Sequence, residues 1–161
     1  MVKVVVLSDT HTSSLNSFPS KVLDEIADAD WVVHAGDFTE VSLVNELKAY
    51  GNFKGVRGNM DSPSVKALLP EIELLEVGGF IIGICHPAEG GPPLRIEDRI
   101  RKKFDKVDVI VYGHTHKPKN EVRDNILYLN PGSATGAWPA ARASYGVLEI
   151  EYTVRARIVQ L

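Results

Sequence analysis

Short apolar runs alternate with segments of helical periodicity along the first half of the chain. Val2–Leu7 and residues 31–35 and 53–57 are rich in β-branched and aromatic residues, which predicts three buried strands. Apolar residues within 22–27 and 43–47 share one helical face, which predicts an amphipathic helix between each pair of strands. The order strand, helix, strand, helix, strand is typical of a parallel sheet covered by helices.

The second half of the chain is predicted to be mainly β, with one helix. Ile72–Val77 and Phe80–Cys85 flank two glycines, a pattern that predicts a hairpin with a tight turn. Residues 96–104 carry an apolar side chain every four positions among basic ones, which indicates a helix with a solvated basic outer face. A Pro/Gly-rich loop is expected at 87–93. Further strands are expected at residues 107–112, 120–123, 126–129, 145–152 and 153–159.

This order of elements favours two β-sheets packed face to face with helices on the outside. The sequence has no internal repeat, no low-complexity tract and no segment that resembles a domain linker. Residues 1–161 are therefore expected to form a single layered domain.

Composition narrows the classes of function. A chain of 161 residues with 44% hydrophobic residues can bury a sizeable core without a disulfide or a structural metal. The net charge of −3 argues against a basic nucleic-acid footprint or an anchor to an acidic membrane. Cys85 is the only cysteine, which excludes an intramolecular disulfide and favours a reducing cytoplasm. The apolar run at the amino terminus is too short to span a membrane and is expected to be the first core strand.

Residues with metal-binding side chains follow the predicted strands. They comprise four of the five histidines, two aspartates and one asparagine, namely Asp9, His11, Asp37, Asn59, His86, His114 and His116. Because parallel strands end at one crevice, these side chains are expected to converge there. Carboxylate, imidazole and amide ligands suit manganese, iron or zinc better than a metal that prefers thiolates. A single catalytic ion keeps a position open, whereas two ions sharing a carboxylate would use the whole set.

Each of these residues also has an ordinary structural explanation. The two aspartates could be N-caps of helices, Asn59 a left-handed turn residue and His86 a hydrogen-bonded histidine above the core. His34 lies inside a predicted strand and is expected to have a core or supporting role. Asp61 is expected to orient a neighbour or to cap the short helix that follows it. The ordinary explanations are reasonable one at a time, but their coincidence at so many strand ends favours a metal site.

The candidate ligands belong to five ordered motifs: Asp9-x-His11, Gly36-Asp37, Gly58-Asn59-x-Asp61, His86 and Gly113-His114-x-His116. These motifs resemble those of the calcineurin-like metallophosphoesterase superfamily, and the chain is similar to its small single-domain bacterial and archaeal phosphodiesterase branch. The resemblance covers roughly residues 1–135. It implies an α/β fold, a four-layer αββα sandwich of two mixed β-sheets with flanking helices, and a dinuclear metal site.

The resemblance also implies a role for each ligand. The first metal would be held by Asp9, His11 and His116, the second by Asn59, His86 and His114, with Asp37 as the bridge. The residues expected to act in catalysis are Asp9, Asp37, Asn59, His86 and His114. Two divalent ions are implied, manganese by preference, with nickel, iron, zinc and magnesium as alternatives. A hydroxide that bridges the two ions would attack the phosphate ester.

The chain departs from wider patterns of the superfamily at several positions. Met60 stands where many phosphomonoesterases carry a histidine that protonates the leaving oxygen. Residues 38–42 lack the arginine of the protein phosphatase branch, and Ala88 replaces a second histidine near His86. A final segment, residues 130–133, matches the family and is expected to shape the rim of the site.

The expected function is therefore that of a metal-dependent phosphodiesterase acting on a small phosphate ester. The first alternative is a phosphomonoesterase or nucleotidase that uses the same metals. The second is a non-catalytic scaffold, as in the retromer subunit that shares this fold, although a scaffold would be expected to have lost ligands. A membrane partner is not expected, and a homo-oligomer is left open.

Overall fold

The computed structural model of the protein describes residues 1–87 and 94–161. Within these residues the strands are β1 (Val2–Leu7), β2 (Trp31–His34), β3 (Phe53–Gly55), β4 (Ile72–Val77), β5 (Phe80–Cys85), β6 (Val109–Tyr112), β7 (Lys119–Arg123), β8 (Ile126–Asn130), β9 (Ser144–Ile150) and β10 (Val154–Gln160). The helices are α1 (Ser20–Ala27), α2 (Val41–Ala49), α3 (Pro63–Leu68) and α4 (Ile96–Arg101), with a short 3-10 helix at Leu15–Ser17. From Ala88 onward, the loop expected at 87–93 lies outside the described residues.

The strands form two mixed five-stranded sheets. The first has the order β10-β9-β1-β2-β3, with β1, β2 and β3 parallel and β9 antiparallel to both of its neighbours. The second has the order β4-β5-β6-β8-β7, with β5, β6 and β8 parallel and an antiparallel strand at each edge. The predicted hairpin β4–β5 and the shorter hairpin β7–β8 are both confirmed.

The apolar core lies in three layers, as strand β1 illustrates. Val4 and Val6 pack in the cluster between the two sheets, whereas Val5 and Leu7 pack in the cluster under the helices of the first sheet. All four side chains are fully buried. A strand segment buried on both faces has no need for polar residues, which is why residues 4–7 of β1 form a continuous apolar run.

The helices cover the outer faces of both sheets. Leu43 and Leu47 of α2 are buried against the first sheet, and Ile96 and Ile100 of α4 are buried against the second. This arrangement of helix, sheet, sheet and helix confirms the expected αββα sandwich. Among the helices that the structure describes, none has the length and apolar character needed to cross a membrane.

Predicted and observed elements differ mainly at their ends. Strand β3 ends at Gly55, two residues earlier than predicted, because the Arg57 N–H donates instead to the Pro70 carbonyl at 2.9 Å. Helix α4 ends at Arg101, but Phe104 still reaches the same core because a turn follows in which its N–H donates to the Arg101 carbonyl.

The two sheets meet where their central parallel strands end. The main-chain N–H of His114, after β6, donates to Asp9 Oδ2, after β1, at 3.1 Å. His86 Nδ1, after β5, lies 2.7 Å from the carbonyl oxygen of Ala35, after β2. These contacts join the first sheet to the second at the crevice where the candidate ligands were expected.

Candidate metal centre

Most of the candidate ligands adopt a backbone conformation that L-residues rarely use. Positive φ angles are found at Asp9 (51°), His11 (45°), Asp37 (61°), His114 (84°) and His116 (58°). Non-glycine residues seldom occupy this region, and such strain collects at functional sites where the surrounding structure enforces it. The concentration of positive φ angles at these strand ends therefore favours a functional site here.

Four candidate ligands form one compact cluster. Ligand atoms of Asp9, His11, Asp37 and His116 all lie within 4.8 Å of one another. His11 Nε2 and His116 Nε2 are 3.2 Å apart, and His116 Nε2 is 3.4 Å from Asp9 Oδ1. Two imidazole nitrogens and two carboxylates that face one point are a donor set suited to a divalent cation.

The other three candidates meet around an amide oxygen. Asn59 Oδ1 lies 2.9 Å from His86 Nε2 and 3.3 Å from His114 Nδ1. Asp37 Oδ2 lies 3.4 Å from His86 Nε2 and 3.6 Å from His11 Nε2. The structure thus brings all seven predicted residues together, with the Asp37 carboxylate between the two groups.

Hydrogen bonds to backbone carbonyls orient two of the histidines. His86 Nδ1 donates to the Ala35 carbonyl at 2.7 Å, and His116 Nδ1 donates to the Ala137 carbonyl at 3.0 Å. Each bond places a proton on Nδ1 and directs Nε2 towards the other candidate ligands. An outer hydrogen bond of this kind is the usual way in which a metal-binding imidazole is held in its tautomer and orientation.

The electrostatics of the centre favour positive charge. Burial disfavours the imidazolium of His86, but its hydrogen bond to Asp37 and the charges of Asp9 and Asp37 raise the pKa of His86 to about 9. In His116, burial is likewise outweighed by the hydrogen bond and charge of Asp9, so that its pKa is also raised. Burial also opposes ionisation of Asp37, yet its contacts with His86 lower its pKa below the usual value. The carboxylates of the centre therefore stabilise positive charge beside them. Divalent cations would supply such charge, so the residues present fit these ions.

Asp61 organises the backbone around Asp37. Its carboxylate accepts hydrogen bonds from the N–H groups of Gly58 (2.7 Å), Thr39 (2.8 Å) and Asp37 (3.1 Å). The expectation that it orients neighbouring residues is confirmed. The alternative that it caps the following helix is wrong, because the N-cap of α3 is Ser62, whose Oγ accepts from the Val65 N–H.

The segment 130–137 supports the centre from the carboxyl-terminal part of the chain. Ser133 Oγ donates to the main-chain carbonyl of Asp9 at 2.7 Å, and Thr135 Oγ1 donates to that of Thr10 at 2.7 Å. The sequence predicts the segment 130–133 at the rim of the site but does not predict these two hydroxyl contacts. Small polar residues in a loop offered no signal that could have separated them from ordinary turn residues.

The ordinary structural explanations do not account for the aspartates. The N-caps of the four helices are Pro19, Glu40, Ser62 and Arg95, so neither aspartate is a helix cap. The explanation of Asn59 as a left-handed turn residue also fails, because Asn59 is not among the residues with positive φ.

The supporting role expected of His34 is confirmed. The side chain is fully buried and stacks on Phe38, with ring centroids 3.6 Å apart. Burial lowers the pKa of His34 well below its usual value, so the ring is neutral. Its Nδ1 accepts from the Gly36 N–H at 3.2 Å, which leaves Nε2–H to donate to Thr10 Oγ1 at 3.0 Å. His34 therefore stabilises the loop that carries Asp37.

Gly113 is required by close packing, and its replacement by alanine is expected to damage the metal centre. A Cβ at this position would clash with Ser8 Oγ and lie 2.7 Å from Asp9 Oδ2. Overpacking of this kind typically costs about 1–3 kcal/mol of unfolding free energy. Denaturant unfolding and metal titration of Gly113→Ala should show both a loss of stability and weaker metal binding.

The matched control is Ser8→Ala, which removes the hydrogen bond from Ser8 Oγ to Asp9 Oδ2 without adding volume. Its effect on metal affinity should be smaller than that of Gly113→Ala. A Gly113→Ala variant that binds metal like the unmodified protein would show that Asp9 does not depend on this contact.

Comparison with known families identifies the class of the protein. Residues 2–153 match the calcineurin-like phosphoesterase superfamily domain. The chain belongs to this superfamily. The class was expected from the five motifs and is confirmed by a match that covers nearly the whole chain.

Individual relatives support the assignment of the chain to this superfamily. A probable metallophosphoesterase of Methanocaldococcus jannaschii is 37% identical over 132 residues, which cover 81% of this chain and 67% of that protein. A phosphodiesterase of the same organism is 25% identical over 162 residues, covering 93% and 94% of the two chains. The crystal structure of Vps29 from Entamoeba histolytica in complex with Zn²⁺ superposes with a TM-score of 0.74, at 25% identity and 99% coverage of each chain.

Proposed function

We propose that the protein hydrolyses phosphodiesters by means of two divalent metal ions held by the seven residues of the candidate centre. The observation that carries this proposal is the position of Asp37 Oδ2, 3.6 Å from His11 Nε2 and 3.4 Å from His86 Nε2. A carboxylate between two groups of ligands can be shared by two cations. The similarity to an archaeal phosphodiesterase over most of both chains supports the choice of substrate class.

The proposed ligands divide as the geometry groups them. One ion would be held by Asp9, His11 and His116, the other by Asn59, His86 and His114, with Asp37 shared. This mixture of oxygen and nitrogen ligands suits manganese, and nickel, iron, zinc and magnesium are alternatives. When bound, such a pair of ions supplies positive charge for the phosphoryl group and an activated nucleophile for in-line displacement.

The chain's own side chains determine how phosphate would be recognised. The pocket over the centre is lined by His11, Asp37, Asn59, Met60, His114, His116, Trp138 and Pro139. Among these described lining residues there is no lysine or arginine. Phosphate affinity in this pocket would therefore depend on the bound ions, since the Asp9 and Asp37 carboxylates alone repel an anion.

Met60 favours a diester over a monoester because a thioether cannot donate a proton to a leaving oxygen. Met60 is 61% exposed and lines the pocket. Its main-chain N–H donates to Asp37 Oδ1 at 2.8 Å, which ties it to the proposed bridging carboxylate. The position matches that of a general acid in many phosphomonoesterases, but the residue has no acidic proton.

Activated aryl diesters are expected to be cleaved faster than the matching monoesters. General acid catalysis typically contributes about 10²–10⁴-fold, so its absence should penalise poor leaving groups most. Comparison of kcat/KM for bis-p-nitrophenyl phosphate and p-nitrophenyl phosphate, with manganese, nickel, zinc and magnesium in turn, measures this preference. A clear preference for the monoester would contradict the proposal and favour a phosphomonoesterase.

Met60→His is expected to raise monoester turnover more than diester turnover, if its imidazole reaches the leaving oxygen. Met60→Leu is the matched control, because it keeps an apolar side chain of similar volume and should leave the ratio unchanged. A steep dependence of rate on leaving-group pKa in the unmodified protein should become shallower in Met60→His.

A non-catalytic scaffold is the alternative that these assays also test. The similarity to Vps29 is the reason to consider this alternative, but the complete set of candidate ligands in this chain favours an enzyme. Purified protein that binds metal but gives no turnover with any ester of the series would support the scaffold.

A further inference from the structure

Two large apolar side chains lie exposed beside the candidate metal ligands. Trp138 is 90% exposed and Met60 is 61% exposed. Both line the pocket over the centre, which has a volume of about 340 Å³. Tryptophan is on average a well-buried residue, and exposed apolar surface beside a few convergent polar groups is typical of a ligand-binding site.

The backbone that carries Trp138 is tied to a candidate ligand. The Ala137 carbonyl accepts hydrogen bonds from His116 Nδ1 at 3.0 Å and from the Ala140 N–H at 2.9 Å. Trp138 therefore lies within a closed turn that is hydrogen-bonded to the centre. A substrate would meet a backbone turn that is already in place, so it would lose little free energy in ordering the loop.

We propose that Trp138 and Met60 form a subsite for the aryl or nucleobase group of a phosphodiester substrate. The inference deepens the proposed function and rests on it. The flat indole face can stack on an aromatic ring, and the Met60 thioether can contact a ring edge. The described lining has no lysine or arginine to hold a second phosphate. The substrate class is accordingly a diester with one phosphate and an aromatic substituent.

Binding of two phosphonates to the zinc-loaded protein tests the subsite without turnover. Phenylphosphonate should bind about 2- to 13-fold more tightly than methylphosphonate, the range that an aromatic pair contributes. Trp138→Ala should abolish this difference and Trp138→Phe should retain part of it, as measured by isothermal titration calorimetry. The matched control is Tyr152→Ala, because Tyr152 is also 90% exposed but lines a different pocket.

A kinetic comparison distinguishes failure of the subsite from failure of the proposed function. The preference for bis-p-nitrophenyl phosphate over methyl p-nitrophenyl phosphate, as a ratio of kcat/KM, should fall in Trp138→Ala and stay unchanged in Tyr152→Ala. Normal hydrolysis with unchanged ratios and unchanged phosphonate selectivity in Trp138→Ala would overturn the subsite and leave the phosphodiesterase intact. Selective phenylphosphonate binding that depends on Trp138, without hydrolysis of any ester, would support the subsite and overturn the proposed function.

Discussion

Asp37→Ala is expected to lose most of both metal ions and nearly all turnover. Asp37 Oδ2 is the one carboxylate oxygen within 3.6 Å of a histidine from each ligand group in the described centre. Changes to residues that only support metal ligands typically cost 10–100-fold, so loss of a shared ligand should cost more than about 100-fold. Elemental analysis after manganese loading and kcat/KM for an activated diester measure the two effects.

Two controls accompany this variant. One tests the charge of Asp37 apart from its shape, and the other tests a carboxylate elsewhere, on the surface. Asp37→Asn keeps a carbonyl oxygen that can accept the hydrogen bond from the Met60 N–H, so it should fold normally while still binding metal poorly. Asp28→Ala removes a carboxylate whose side chain is 81% exposed and should leave metal content unchanged. If Asp37→Ala retains two ions and normal turnover, Asp37 is not the bridge.

Chelation of the metal is expected to abolish turnover but to leave a cooperative unfolding transition. The three core clusters are made of apolar side chains and contain none of the proposed ligands. A domain of this size buries enough surface to fold without a metal. Thermal melting before and after chelation, followed by near-UV circular dichroism, separates loss of metal from loss of structure.

Restoring the metal should raise the melting temperature, because ions that bind the folded protein and not the unfolded chain stabilise the folded state. A free metal concentration of 100 times Kd adds about 2.7 kcal/mol. For a chain of this length that corresponds to roughly 5–11 °C. Asp37→Ala should show little of this increase. Loss of the cooperative transition on chelation would mean that the metal is needed for folding.

The parts of the centre that were predictable from sequence are those encoded locally at strand ends. Val109–Tyr112 is an apolar strand, and the glycine and histidines after it carry their own signal of a turn with metal-binding side chains. The same holds for Asp9 after β1 and for Asp37 after β2. Strand periodicity also indicated two packed sheets, because each strand's apolar faces must be covered.

Other features depend on contacts between residues far apart in the chain. Ser133 Oγ reaches the Asp9 carbonyl across 124 positions, and no local pattern marks that serine as a partner of the centre. Asp61 was recognised as a neighbour of the site, but its three N–H partners lie on two separate loops and could not be identified from spacing. Trp138 looked like one residue of an irregular loop.

The amino-acid sequence was sufficient to predict the seven candidate ligands, their order and the layered fold, because each rests on side-chain type and short-range periodicity. Only the tertiary structure shows that His11 and His116, 105 positions apart, face each other at 3.2 Å, and that Asp37 lies between the two groups. It also shows that Trp138 stands exposed at the pocket. Such distances are set by the packing of one sheet on the other, which depends on the apolar side chains of many strands at once.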